Sequence, residues 1–195
     1  MQKIYIDENI FYIEDFLSEE SFSSFSKMCV EYDSRFEYKE DFFKNRGAFD
    51  MDGMPISNDY EKAWSEFTNK MEELFNNNVH HLGKIKALYK LNKHDPVNNN
   101  GDLCFGRHSD DHGYRSERQK GKPDEPAIFF GSNYYINDDY KGGEIFYPKK
   151  NISIKPKKNS LVCHPGSNEY EHEVTQIFNA DKYTIPCFAI NNNII

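Results

Sequence analysis

The chain has 195 residues, 37% hydrophobic, 15% aromatic and 29% charged, with a formal net charge of −8. This length suits one domain, residues 1–195, with a core of its own, and an acidic chain without a basic tract argues against a nucleic-acid partner held through phosphates. The N-terminal "MQKIYIDENIFYIEDF" has neither an apolar h-region nor a small-residue cleavage site, and no apolar run approaches the ~18 residues of a membrane span, so a cytoplasmic protein with no membrane partner is expected.

A strand is expected within Met1–Tyr12. In "DFLSEESFSSFSKMCVEYD", Ser18 stands as an N-cap with Glu19 and Glu20 in the first turn, and Phe22, Phe25, Met28 and Cys29 recur at helical spacing. Residues 34–57 show no clean period. "SNDYEKAWSEFTNKMEELFNNN" predicts a second helix with Ala63, Trp64, Phe67, Met71, Leu74 and Phe75 on one face, capped near His80 and His81. After Gly83 the pattern changes to short β-rich runs: "KIKALYKL", "DLCFGRH", "AIFFGSNYYIN", "GEIFYP", "NISIKP", "SLVCHP", "HEVTQI" and "KYTIPCFAI". Turn clusters such as "NNNG", "NDDYKGG" and "HPGSN" separate them, which predicts a sandwich or barrel. The expected fold is therefore α+β: mainly helical support over 1–82 and a jelly-roll core over 83–195. Cys29, Cys104, Cys163 and Cys187 are scattered without a Cys-x-x-Cys pair, which speaks against structural zinc and for buried free thiols.

The stretch "RHSDDHGY" holds two histidines and two aspartates between His108 and His112. On an extended segment residues i and i+2 share a face, so His108 and Asp110 converge while Asp111 points into solvent. His172, opening another strand in "EHEV", supplies a third donor. Two histidines and a carboxylate suit a non-haem Fe(II) facial triad, a zinc site, or a hydrogen-bonded acid/base set. No serine or cysteine lies in a nucleophile motif, which weakens the hydrolase versions.

His112 reads as a loop residue at the site rim, His94 as part of a polar loop, and His164 as a packed strand end. The charged segment 111–126, "DHGYRSERQKGKPDEP", is either a surface loop or a lid whose Tyr114 and Arg115 border the substrate.

Six elements occur in order: His108-Ser-Asp110, Tyr135-Ile136-Asn137, Gly142-Gly143, Phe146-Tyr147-Pro148, His172-Glu-Val174 and Lys182. Together, over roughly residues 84 to 190, they resemble the 2-oxoglutarate/Fe(II)-dependent dioxygenases, in particular the prolyl 4-hydroxylase-like branch. The resemblance implies a double-stranded β-helix with His108, Asp110 and His172 as iron ligands. Lys182 and Tyr135 would hold the 5-carboxylate of 2-oxoglutarate, with O2 as second co-substrate and ascorbate as reductant. Lys182 is also the only basic residue after His172, and a chelated five-carbon diacid needs a buried cation at its far end. If Asn179-Ala180-Asp181 is a three-residue hairpin loop, His172 and Lys182 share a face.

The implied reaction hydroxylates an unactivated C–H as 2-oxoglutarate is converted to succinate and CO2. A peptide or protein substrate is expected first, and a free amino acid or small metabolite second. Peptide hydroxylases of this branch carry an arginine where Ile128 stands here, and a tryptophan where Tyr183 follows Lys182. The alternative of another class is a non-catalytic jelly-roll module that binds metal.

Overall fold

Two periodicities build two layers. A computed structural model describes residues 2–33, 37–38, 46–50, 58–79, 85–96, 103–111 and 128–191. The elements are β1 (Ile4–Tyr5), β2 (Phe11–Ile13), α1 (Glu19–Glu31), β3 (Glu37–Tyr38), β4 (Arg46–Asp50), α2 (Asn58–Val79), β5 (Ile85–His94), β6 (Phe105–His108) and β7 (Ile128–Tyr135). They continue with β8 (Lys141–Gly142), β9 (Ile145–Tyr147), β10 (Ile152–Ile154), β11 (Ser160–Pro165), β12 (His172–Val174), β13 (Ile177–Phe178) and β14 (Lys182–Asn191). The major sheet runs β1-β2-β11-β7-β14-β5-β4-β3, the minor sheet β10-β9-β12-β6, and β13-β8 form a ribbon. Every pairing is antiparallel. The result is a jelly roll with two helices packed on one face.

Alternation along the major strands sorts the two cores. Tyr134, Leu161, Cys163, Ile185, Cys187 and Leu91 face the helices, where they meet Phe25, Phe67 and Met71. Tyr135 and Val162, on the opposite face, meet Ile145, Tyr147 and Ile154 of the minor sheet. Aromatic rings do the filling: Phe67 lies 5.4 Å from Tyr134 and 5.5 Å from Phe25, centroid to centroid. Such pairs contribute about 0.5–1.5 kcal/mol beyond their burial, which compensates for the scarcity of aliphatics.

The helix starts as its sequence predicts, with the Ser18 hydroxyl accepting from the Ser21 N–H at 3.4 Å. Glu66 of α2 reinforces it, accepting from the Ser18 N–H, the Ser18 hydroxyl and the Ser21 hydroxyl. Asn159, at φ 53°, ties the helical layer to the sheet. Its side chain accepts from the Leu17 N–H and the Tyr134 hydroxyl and donates to the Leu17 carbonyl.

Two regions are filled in and two expectations are corrected. The N-terminal strand is two short strands, β1 and β2, and β2 extends the major sheet beside β11. The unassigned region 34–57 contributes β3 and β4, the latter paired with β5. Segment 179–181 is not a hairpin loop between the strands of His172 and Lys182. β13 leaves β12 to pair with β8, and β14 then crosses into the major sheet. His94 is not in a loop; it ends β5, buried, with its ring against Phe105. His80, His81, His112, Tyr114, Arg115 and the rest of the lid segment beyond Asp111 lie outside the described residues.

Candidate metal and co-substrate site

His108 is the last residue of β6 and His172 the first of β12, and the two are directly paired across the minor sheet. Their ring centroids are 4.4 Å apart. Asp110 is not on the strand, which ends at His108; it opens a helical turn that swings its carboxylate back toward the histidines. His108 and Asp110 do converge, but through this turn and not through strand alternation. Asp110 Oδ1 lies 3.6 Å from His108 Nε2 and 4.0 Å from His172 Nε2. Donor atoms of all three side chains fall within 4.8 Å of one another, a spacing that could hold a metal ion. Asp111 is half-buried and anchors the turn: its N–H donates to the Gly166 carbonyl and its carboxylate accepts from the Ile128 N–H.

Each imidazole is oriented from behind. His108 Nδ1 is 2.8 Å from the Gly106 carbonyl, and His172 Nδ1 is 3.1 Å from the Tyr170 carbonyl. A carbonyl only accepts, so Nδ1 carries the proton and the Nε2 lone pair faces Asp110. Burial pushes the His172 pKa down to about 3, against the pull of Asp110. Burial would raise the Asp110 carboxyl, but the surrounding imidazoles outweigh it and hold it well below the carboxylate range. A cation binds an imidazole through an unprotonated nitrogen and a carboxylate in its ionised form.

His164 was read as strand-end packing. It is buried in β11, but its Nε2 points at the site, 3.8 Å from Asp110 Oδ2. Alternation on β11 carried the signal, since His164 shares a face with Val162 of the inner core. Gly131, its cross-strand partner on β7, makes room: a Cβ there would sit 1.9 Å from Asp110 Oδ2.

The other end of the inner core holds a cation. The Lys182 ammonium donates to the Gly143 carbonyl at 3.1 Å and lies 5.2 Å and 5.5 Å from the ring centroids of Tyr135 and Tyr140. Lys182 is 1% exposed, and burial pushes its pKa down to about 8. The Gly-Gly pair brings that carbonyl in: both glycines have φ near 70°, and a Cβ on Gly142 would strike the Gln176 carbonyl at 1.9 Å. Of the adjacent tyrosines, Tyr134 belongs to the helical core and Tyr135 to the inner one.

Several buried polar atoms lack hydrogen-bond partners among the described residues, among them the hydroxyls of Tyr135 and Tyr140 beside Lys182, the Tyr147 hydroxyl, Thr184 Oγ1 and Asn92 Oδ1. Thr184 pairs directly with Tyr135 on one side and Asn92 on the other, so the three form a row across β7, β14 and β5. Tyr147 links the two ends, its ring 5.6 Å from His172 in the same core as Tyr135. Tyr140, Tyr147, Thr184 and Asn92 were not foreseen; only their burial with unmet polar atoms identifies them.

No family model matches the sequence, and no curated protein is similar to it. The fold, by contrast, is that of the prolyl 4-hydroxylase jelly rolls. The chain is similar to the viral collagen prolyl hydroxylase of Paramecium bursaria Chlorella virus-1, solved as its 2OG complex, with TM-score 0.68, 16% identity and coverage of 93% of this chain and 96% of that one. A Pseudomonas putida prolyl 4-hydroxylase matches with TM-score 0.70 at 15% identity, covering 94% and 93% of the two chains. A Trichoplax adhaerens prolyl hydroxylase, in complex with a hypoxia inducible factor peptide fragment, matches with TM-score 0.72 at 16% identity, covering 95% and 84%.

Proposed function

We propose that this protein is a non-haem Fe(II)- and 2-oxoglutarate-dependent oxygenase that hydroxylates an unactivated C–H bond of a peptide or protein residue, as prolyl 4-hydroxylases do. One observation carries the reading. A two-histidine, one-carboxylate donor set and a buried cation beside two tyrosines with unpartnered hydroxyls both border the same inner core, through Tyr147 and Tyr135 respectively. These residues fit the pair of groups, because a divalent ion needs the first end and a dicarboxylate the second.

His108, Asp110 and His172 would hold Fe(II) and leave positions open, and Lys182 with the Tyr135 hydroxyl would take the far carboxylate of 2-oxoglutarate. Iron and 2-oxoglutarate supply the oxidising chemistry with O2, ascorbate serving as reductant. The chain's own residues do the rest. The Gly106 and Tyr170 carbonyls fix both imidazole tautomers. Tyr147, Ile145 and Val162 wall the core between the two ends against water. The ammonium of Lys182 meets a charge that offsets its burial.

The Trichoplax structure holds a peptide, and the peptide reading follows that neighbour. A second reading, a free amino acid or small metabolite, is favoured by Ile128. It is buried at the head of β7, where peptide hydroxylases of this branch carry an arginine. Four free, buried cysteines fit a reducing compartment such as the cytoplasm. No helix among the described residues is long and apolar enough to cross a membrane.

Anaerobic Fe(II) plus 2-oxoglutarate should give a weak visible charge-transfer band, and admitting O2 should release succinate slowly without substrate. His172→Ala should do neither. If that variant keeps both, the ligand assignment is wrong; zinc in protein purified without added metal, with no band, would point to the hydrolytic alternative. Mass spectrometry for +16 Da products across a peptide library and a metabolite extract separates the two substrate classes.

A further inference from the structure

Asp110 has two carboxylate oxygens, and the triad faces only one. Oδ1 is directed at His108 and His172. Oδ2 lies 3.8 Å from Nε2 of His164, which comes from β11 in the opposite sheet. His164 is 3% exposed, and its ring centroid is 4.6 Å from that of His172. Its Nδ1 is 3.1 Å from the Pro165 carbonyl. Nδ1 therefore carries the proton, and the Nε2 lone pair is turned inward.

Three imidazoles thus share one arrangement: Nδ1 on a backbone carbonyl and Nε2 toward Asp110. The N···O separations of 3.6, 3.8 and 4.0 Å are all too long for direct hydrogen bonds. Separations of this size leave room for a cation between each nitrogen and the carboxylate. The opposite strand has been cleared for this approach, since a side chain on Gly131 would meet Asp110 Oδ2 at 1.9 Å and His164 Cε1 at 3.0 Å.

We propose that His164 is a fourth protein donor to the metal, so that the resting site offers three imidazoles and one carboxylate. This rests on the metal-site reading above but not on the choice of co-substrate. A six-coordinate ion then keeps two open positions rather than three. A 2-oxo acid that chelates through two atoms fills both, so a further small ligand needs a position that the protein gives up. His164 would be the donor released, because its Nε2 faces Asp110 Oδ2 while the other two imidazoles face Oδ1. Its departure on co-substrate binding would open the ion only when the co-substrate is in place.

The probe is Cu(II) bound to the full chain, with pulsed electron paramagnetic resonance counting coordinated imidazoles. Three are expected in the wild type, and two in His164→Phe and His164→Gln. Co(II) affinity by calorimetry should fall at least about tenfold in either variant. Adding 2-oxoglutarate to the wild type should lower the count from three to two. The wild-type count decides without any variant: two imidazoles would overturn the proposal and leave the triad standing. No Cu(II) or Co(II) binding at all would overturn the metal reading and this inference together. A count of three that 2-oxoglutarate leaves unchanged would overturn the release step.

Discussion

Gly131→Ala separates the stability of the fold from the integrity of the site. The ideal Cβ falls 1.9 Å from Asp110 Oδ2. Ordinary C···O contact is about 3.3 Å, so one partner has to move by roughly 1.4 Å. β7 is the less able to move, because it is paired on both sides, Gly131 opposite His164 of β11 and Phe188 of β14. The Asp110 carboxylate, at the end of a short side chain on a single helical turn, gives way first. Ligand distances tolerate about ±0.2 Å, so a shift several times larger takes the carboxylate off the ion. The expected loss of Co(II) affinity is about 100-fold or more, ~2.7 kcal/mol. Melting of the metal-free protein should fall only about 2–4 °C, the equivalent of ~1 kcal/mol for a chain of this size. Calorimetric titration and thermal melting measure the two. Wild-type affinity combined with a large melting loss would refute the reasoning, since β7 would then have moved instead of Asp110.

Lys182→Met should stabilise the protein without ligands while abolishing 2-oxoglutarate binding. The folded pKa of Lys182, about 8, lies below its ordinary 10.5, so its penalty is complete below pH 8 and is relieved as pH rises toward 10.5. Urea unfolding should show wild-type stability gaining up to roughly 3 kcal/mol over that window relative to Lys182→Met; parallel pH profiles would contradict a buried, depressed ammonium. Asn159→Ala should cost about 3 kcal/mol or more, because it strands three buried partners on Leu17 and Tyr134; a loss under about 1 kcal/mol in urea unfolding would mean water replaces the amide. With Mn(II) present, 2-oxoglutarate at a hundredfold over its Kd should add about 2.7 kcal/mol, a melting rise of roughly 5–10 °C. Pyruvate, which keeps the chelating end and lacks the far carboxylate, should add far less at equal concentration; equal shifts would remove Lys182 from the site.

The helices and the eight core strands were legible because each carries its own period or its own turn signals. β4 was not: "RGAFD" lacks alternation and becomes a strand only because β5 lies beside it. The same blindness to distant pairing produced the hairpin expected at Asn179–Asp181. Nothing local to "VTQIFNADK" says that β13 pairs with β8, thirty-odd residues earlier, or that β14 joins the other sheet. His108, Asp110, His172 and Lys182 stood out because few residue types do their chemistry. His164 could have been assigned to the inner face from the period of two on β11. That it meets Asp110 depends on its register with Gly131, which only the pairing of β7 and β11 supplies.

The polar atoms inside this jelly roll set stability against function. A buried hydroxyl or amide left unpaired costs about 1–3 kcal/mol, and Tyr135, Tyr140, Tyr147, Thr184 and Asn92 each carry one such atom among the described residues. Apolar residues in those places would pack a more stable core, as Val162, Ile145 and Ile154 do between the same two sheets. Lys182 is the clearest case: its neighbours are the rings of Tyr135 and Tyr140 and one carbonyl, and no carboxylate is within ion-pair distance of it among the described residues. A structural lysine in that position would be paired. A lysine kept for an incoming anion has to be left without one, and the tyrosine hydroxyls beside it have to stay unspent for the same reason. The candidate metal end follows the same logic, with three imidazole nitrogens directed at one carboxylate and too far from it for direct hydrogen bonds. Each end is unfavourable alone and would be complementary to an opposite charge, on the proposed reading a cation at His108, Asp110 and His172 and an anion at Lys182. The ligand that satisfies both at once must carry an anionic tail and a chelating head.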